Sequence, residues 1–405
     1  MFWKSVTSVL TGTAMAQAIP IIGSLAIARL YTVDDFGVYS AWLGIVLILS
    51  VISTGRFEAS IAIQAPGENQ ILAFQATNFF IVGMGIVLSC LLIIITQADI
   101  SWLKIFELEF LLLLIPTGMV MAFSQTQQSL LAASGQYKLL SVLRVIQALL
   151  IVVPQIIIGY WFKSPIHLAA THFIGVLITI LIVRYFDSTL KLFTFYNKKL
   201  LLNFYTKYKK FLIYSLPADS MNSLAAQLPV IVVTVNFGSE KGGILALTMR
   251  TLGAPIGILG KSVLDVFKKY ASDEYRLLGN CSSIYLKTLY YLTFLAGLFS
   301  IFIFFFSKVL FAVLFGSEWT EAGDIAILLL PLFALRFIAS PLSYLIYIAE
   351  KQNIDLVWQI CLLFMTLTVL FSGVSFEDTI KLYSAGYAIL YLAYIRLTYK
   401  MSLNE

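Results

Sequence analysis

Twelve stretches of this chain are apolar enough and long enough to cross a lipid bilayer, and that excludes most folds before any motif is read. A spanning helix needs about 20 mostly apolar residues. Residues 6–28, 37–54, 71–96, 109–132, 141–162 and 166–185 read that way, as do 211–236, 243–263, 285–306, 324–348, 354–373 and 379–398. Only 12% of the 405 residues are charged and mean hydropathy is +0.91. A soluble domain of this length has no room to bury so much apolar surface. The expected fold is an all-α integral membrane protein of about 12 transmembrane helices.

The net charge of +6 follows from topology rather than from nucleic-acid binding. With the N-terminus placed in the cytoplasm, 19 Lys and Arg fall on cytoplasmic ends and loops and six on outer loops. Basic residues concentrate on the cytoplasmic side of membrane proteins, so both termini are expected inside. Trp42, Trp102, Trp161 and Trp319 are expected at outer span ends, where amphipathic rings sit. Lys4 followed by an apolar run and Ala14-Met15-Ala16 resembles a cleavable signal. The run continues to Ala28, which favours an uncleaved first helix. Cys90, Cys281 and Cys361 are isolated and form no framework for a disulfide or a metal.

A Lys-rich loop at 186–210 divides residues 1–185 from 211–405, six spans from six. The halves echo each other faintly. Ala16-Gln17 and Pro20 precede Gly37, as Ala226-Gln227 and Pro229 precede Gly242, and 131–138 matches 345–352 in position. Internal repeats of this kind are common in transporters. Pro20, Pro116, Pro217, Pro229, Pro255, Pro331 and Pro341 lie within spans, where a missing hydrogen bond opens a kink.

Ionisable groups at membrane depth are costly and mark function or a structural ion pair. Asp219, Arg250 and Arg336 are the deepest, and Asp219 is a partner for either arginine. Arg29, Arg56, Glu58, Arg144 and Lys261 lie nearer helix ends, where snorkelling to the headgroups is the competing reading. Gln17, Gln125, Asn222 and Gln227 either line a polar cavity or join helices by hydrogen bonds. Arg250 and Arg336 point to an anionic substrate, because a guanidinium presents a fork of donors that suits phosphate. A phosphate-bearing headgroup on a lipid tail fits such a site. Asp219 is the candidate for coupling to a proton or sodium gradient.

Residues 255–262, PIGILGKS, fall one position short of a phosphate-binding loop and are read as chance, so no nucleotide cofactor is expected. His167 and His172, five apart, suit neither zinc nor a proton relay and are read as solvated or interfacial. No outer loop is long enough for the catalytic groups of a membrane glycan polymerase or ligase, so the chain is not expected to be an enzyme.

Several segments together resemble one family. Residues 29–37, RLYTVDDFG, are similar to the step after the first helix of oligosaccharide flippases of the multidrug/oligosaccharidyl-lipid/polysaccharide exporter superfamily. STGRFE at 53–58, FGSEWTEAG at 315–323 followed by Pro331, Arg336 and Ser340-Pro341, and the pattern around Ser215–Asp219 and Gln227-Leu228-Pro229 are similar as well. The resemblance implies two six-helix lobes around a central cavity. It implies movement of a polyprenyl-pyrophosphate-linked oligosaccharide across a bacterial inner membrane for O-antigen, capsule or another exopolysaccharide. Polysaccharide polymerase and chain-length machinery are the implied protein partners. Arg29, Asp35, Gly37, Arg56, Glu58, Trp319, Gly323 and Arg336 match its motifs, with Arg29, Asp35, Arg56, Glu58 and Trp319 as gate candidates. The alternatives are a drug antiporter of the same superfamily, which should carry more acidic groups inside one lobe, a flippase for the peptidoglycan precursor, which usually has further helices, and a membrane glycan polymerase or ligase.

Overall fold

A computed structural model describes residues 2–97, 105–186, 198–349 and 351–403, and every regular element among them is helical. Nine helices among these residues are long and apolar enough to span a membrane. The other three apolar stretches are helical too. Residues 6–28 lie in α1 (Phe2–Leu30), 243–263 run from α9 (Ser239–Pro255) through a π turn (Ile256–Gly260) into α10 (Lys261–Leu278), and 379–398 lie in α15 (Phe376–Ser402). The all-α membrane fold is therefore present.

Packing divides the chain into two compact units, Met1–Gly242 and Gly243–Glu405. Of the basic loop, residues 187–197 lie outside the described residues, as do Trp102 and Lys104. Its remainder is α7 (Lys198–Lys210), which continues through a π turn (Phe211–Ser215) into α8 (Leu216–Phe237). Both pack with the first unit: Phe204 of α7 joins its core, and α8 lies along α2 (Val33–Thr54).

In the first unit α1 packs on α5 (Tyr137–Gly159), and α2 packs on α4 (Leu108–Ala133), which also meets α3 (Glu68–Gln97) and α6 (Pro165–Phe186). The corner between α1 and α2 is set by local chemistry. Thr32 accepts from the Asp35 amide while the Asp35 carboxylate accepts from the Thr32 amide, a reciprocal cap that satisfies two donors left free at a helix start. Gly55 ends α2 in the left-handed conformation, φ 58°, as glycine does at helix ends. The next segment, a 3₁₀ turn at Phe57–Ile63, buries Phe57 and Ile61 among Phe74, Leu131, Leu143 and Phe204.

In the second unit α12 (Thr320–Leu342) packs on α11 (Ser282–Phe315) and α15, and α14 (Gln352–Leu370) packs on α15. A short helix, α13 (Leu345–Ile348), follows α12. The Tyr285 hydroxyl donates to the Ile395 carbonyl and the Cys281 amide to that of Ser402, tying the start of α11 to the end of α15. Gly323 sits where a Cβ would fall 2.7 Å from the Lys308 backbone, so α11 and α12 approach closely.

Two expectations are corrected. Trp42 and Trp319 are fully buried rather than interfacial; the Trp42 indole donates to the Phe110 carbonyl at 3.1 Å. Trp161, 71% exposed, does fit the interfacial reading. His172 is buried, its Nδ1 bonded to the Tyr39 hydroxyl at 2.9 Å, and Gln155 donates to the same hydroxyl at 3.0 Å. Its environment is a packed polar network joining α2, α5 and α6.

Candidate functional site

The densest charged cluster inside the first unit grows out of the end of α2. Two successive left-handed residues, Gly55 and Arg56 (φ 60°), turn the chain back toward the core. Arg56 is the one non-glycine residue with positive φ among those described. Side chains larger than glycine hold that conformation only where their surroundings impose it. Here Arg56 Nη1 meets Glu58 Oε1 at 2.9 Å and Arg56 Nε meets Asp219 Oδ2 at 2.5 Å. The Thr54 hydroxyl accepts from the Arg56 amide at 3.2 Å.

The three groups differ in exposure. Glu58 is 3% exposed, Arg56 26% and Asp219 37%. Burial pushes the Glu58 carboxyl above its ordinary range; the Arg56 charge and the Thr54 hydroxyl oppose this, and Asp219 adds to it. Glu58 Oε2 has no hydrogen-bond partner among the described residues. Asp219 stands in the first turn of α8, just after Pro217 and the π turn. The sequence left its partner open between Arg250 and Arg336; the structure pairs it with Arg56, which it shares with Glu58. A guanidinium shared by a buried and a half-exposed carboxylate can pass from one to the other when either takes up a proton.

The remaining site candidates are scattered. Arg250 is half-buried on α9. Arg336 is exposed on α12, within electrostatic reach of Tyr383 and Tyr391, which with Tyr387 form a row of tilted ring contacts along α15. Gln17 and Asn222 are exposed, and Gln125 and Gln227 half-buried. Arg29 is exposed in the last turn of α1. Asp35 serves the helix cap already described. Trp319 is core, and Lys308 pairs with Asp324 at 2.8 Å.

Sequence reading missed one network. Snorkelling to the headgroups is the competing reading for Arg144, yet its Nε donates to Gln128 Oε1 at 3.0 Å, and Gln128 donates to Gln147 at 3.1 Å. The signal was present: Arg144 and Gln147 share one face of α5, and Ser124 and Gln128 one face of α4. Among the described residues no three His, Cys, Asp or Glu side chains converge as metal ligands would. Residues 255–262 are helical throughout, with Gly260 at φ −58°, ψ −39°, so they form no phosphate-cradling loop.

Comparison with known proteins gives two results. The sequence pattern of the family described as "Polysaccharide biosynthesis protein" matches residues 26–324. No curated protein matches the chain in sequence. Among solved structures, an inward-facing multidrug resistance MATE family transporter of the MOP superfamily aligns over 98% of both chains, with TM-score 0.71 and 13% identity. The lipid II flippase MurJ, in an inward closed conformation, aligns over 98% of this chain and 90% of its own, with TM-score 0.74 and 12% identity. A MOP superfamily transporter from Pyrococcus furiosus aligns over 99% and 96%, with TM-score 0.55 and 13% identity. At such identities the likeness establishes the fold.

Proposed function

The chain belongs to the polysaccharide biosynthesis protein family, and from that premise we propose that it is a flippase for polyprenyl-pyrophosphate-linked oligosaccharides. It carries the sugar headgroup from the cytoplasmic to the outer leaflet of a bacterial inner membrane by alternating access, with both termini in the cytoplasm. The observation that carries this reading is the family match over residues 26–324 of a bundle of membrane-spanning helices. A glycan-assembly protein built from such helices has the lipid-linked intermediate as its natural cargo, since that intermediate is made on one face of the membrane and used on the other. The family match favours this over drug antiport.

Arg250 and Arg336 are the proposed contacts to the pyrophosphate, because guanidinium groups pair with phosphate oxygens in a fork. The Arg56–Glu58–Asp219 cluster is the proposed coupling element. Its acidic groups compete for one arginine, so a proton taken up by one releases that arginine to the other. Polymerase and chain-length proteins are the proposed downstream partners.

The test is deletion of the gene in its host, followed by labelling of lipid-linked oligosaccharide on intact spheroplasts with a membrane-impermeant reagent. Cytoplasmic accumulation reversed by the wild-type gene, and not by the Arg250→Ala, Arg336→Ala double variant at equal protein level, is expected. Normal appearance at the outer leaflet, with repeat units left unpolymerised, would point instead to a polymerase or ligase.

A further inference from the structure

Two cavities in the second unit follow one another along a single seam between α11 and the α9–α10 segment. The first, about 490 Å³, is lined entirely by apolar side chains of α9, the π turn, α11 and α12. The second, about 710 Å³, lies between α10 and α11 and includes Lys287, Thr288, Tyr270 and Tyr291. On α11 the lining residues run Ile284, Thr288, Tyr291, Leu295, Leu298, Phe302. Steps of three and four residues keep them on one helix face. The opposite wall runs from Leu252 and Leu259 through Val266 to Tyr270.

The seam is open for a local reason. Pro255 cannot donate to the preceding turn, and the π turn at Ile256–Gly260 inserts an extra residue per turn. This irregular segment lines the first cavity through Pro255, Ile256 and Leu259. From Ile284 to Phe302 the α11 stripe rises about 27 Å at 1.5 Å per residue, close to the roughly 30 Å hydrocarbon thickness of a bilayer. Its Phe302 end is wholly apolar, and its Ile284 end carries an exposed cation at Lys287 with exposed Tyr270 and Tyr291.

We propose that this groove holds the single hydrocarbon chain of a polyprenyl diphosphate at loading, with its phosphates at Lys287 before they pass to Arg250 and Arg336, and its tail running past Leu295 and Phe302. The proposal rests on the flippase reading and names the tail site of that substrate. The groove follows one seam and takes one chain; a bilayer phospholipid has two chains and leaves one outside. The ammonium of Lys287 supplies the charge complement at the end where a lipid phosphate sits.

The experiment places purified protein in phosphatidylcholine vesicles with a diazirine-tagged polyprenyl diphosphate, irradiates, and maps the adducts by peptide mass spectrometry. Adducts are expected on 284–302. Filling the groove with Leu298→Trp should lower them about tenfold, as loss of about two buried methylene groups predicts. Lys287→Glu should lower them severalfold, and Val309→Trp, on an exposed part of α11 outside the groove, should leave them unchanged. Untagged polyprenyl diphosphate should compete, and phosphatidylglycerol should not. Adducts spread over many lipid-facing helices, or equal competition by phosphatidylglycerol, would overturn the proposal in favour of ordinary bilayer lipid. Should Leu298→Trp fail to fold, the Lys287 variant and the competition decide alone. Leaflet transfer of a polyprenyl-diphosphate-linked oligosaccharide across the same vesicles, under an imposed proton gradient, separates the two readings. Focused adducts without transfer keep the groove and sink the flippase; transfer without focused adducts does the reverse.

Discussion

Arg56 sits in a backbone conformation that costs a side-chain-bearing residue on the order of 1 kcal/mol or more, and its two carboxylate partners offset that cost. The backbone and side-chain contributions can be separated. Arg56→Ala keeps the strain and leaves Glu58 buried without a counter-ion, so a loss of about 2–3 kcal/mol is expected after allowance for the partial exposure of Arg56. Arg56→Gly removes the same charge and relieves the backbone, so it should lose about 1 kcal/mol less; thermal unfolding in detergent checks the order of the two. Glu58 gives a pH signature. Its folded-state value is raised above 4.5 by burial, so the native state binds the proton more tightly than the unfolded chain. Stability should therefore rise as pH falls through the raised value toward 4.5, and decline as pH climbs back through it. Glu58→Gln should flatten that part of the melting-temperature profile, and an unchanged slope in the variant would assign it to another group.

At the level of helices, close approach is the feature most exposed to test. Gly323→Val drives side-chain atoms into the Lys308 backbone, 2.7 Å from where the Cβ would stand, and backbone cannot yield as a side chain can. A loss of about 1–3 kcal/mol is expected, together with weakening of the Lys308–Asp324 contact. Gly297, on the same helix α11, has open space around its Cβ position, so Gly297→Ala should be neutral or stabilising by up to about 1 kcal/mol; melting temperatures of the pair decide. The contrast shows what was legible beforehand. Apolar length alone located each spanning helix, because the bilayer imposes it. Pro255 and Pro217 announced irregularities, but a kink and a π turn begin from the same residue, so the groove beside Ile256–Gly260 was invisible. Trp42 and Trp319 were misplaced because position near a span end says nothing about which face of the helix meets its neighbours. The partnership of Arg56 and Asp219 was hidden for a similar reason: each was visible as a costly charge, and only the packing of α8 along α2 brings them together.

For the whole molecule, orientation rests on the charge count, 19 basic residues against six, and on no contact within the fold. The bias acts during insertion, through the cost of moving Lys and Arg across the membrane, so its consequence has to be measured on the inserted protein. Ser134 and Ser164 flank α5, which is long and apolar enough to cross the bilayer, so they lie on opposite sides. The native thiols offer little interference: Cys281 is buried with its pKa pushed up to about 11 by burial and nearby Glu274, and Cys90 and Cys361 lie on the apolar helices α3 and α14. In a background with all three replaced, Ser164→Cys should react with an impermeant maleimide on intact spheroplasts, and Ser134→Cys only after permeabilisation. The reverse pattern would place the basic ends outside, and with them Lys287 at the mouth of the lipid groove. The tail site would then face the leaflet where the substrate is delivered rather than the one where it is loaded.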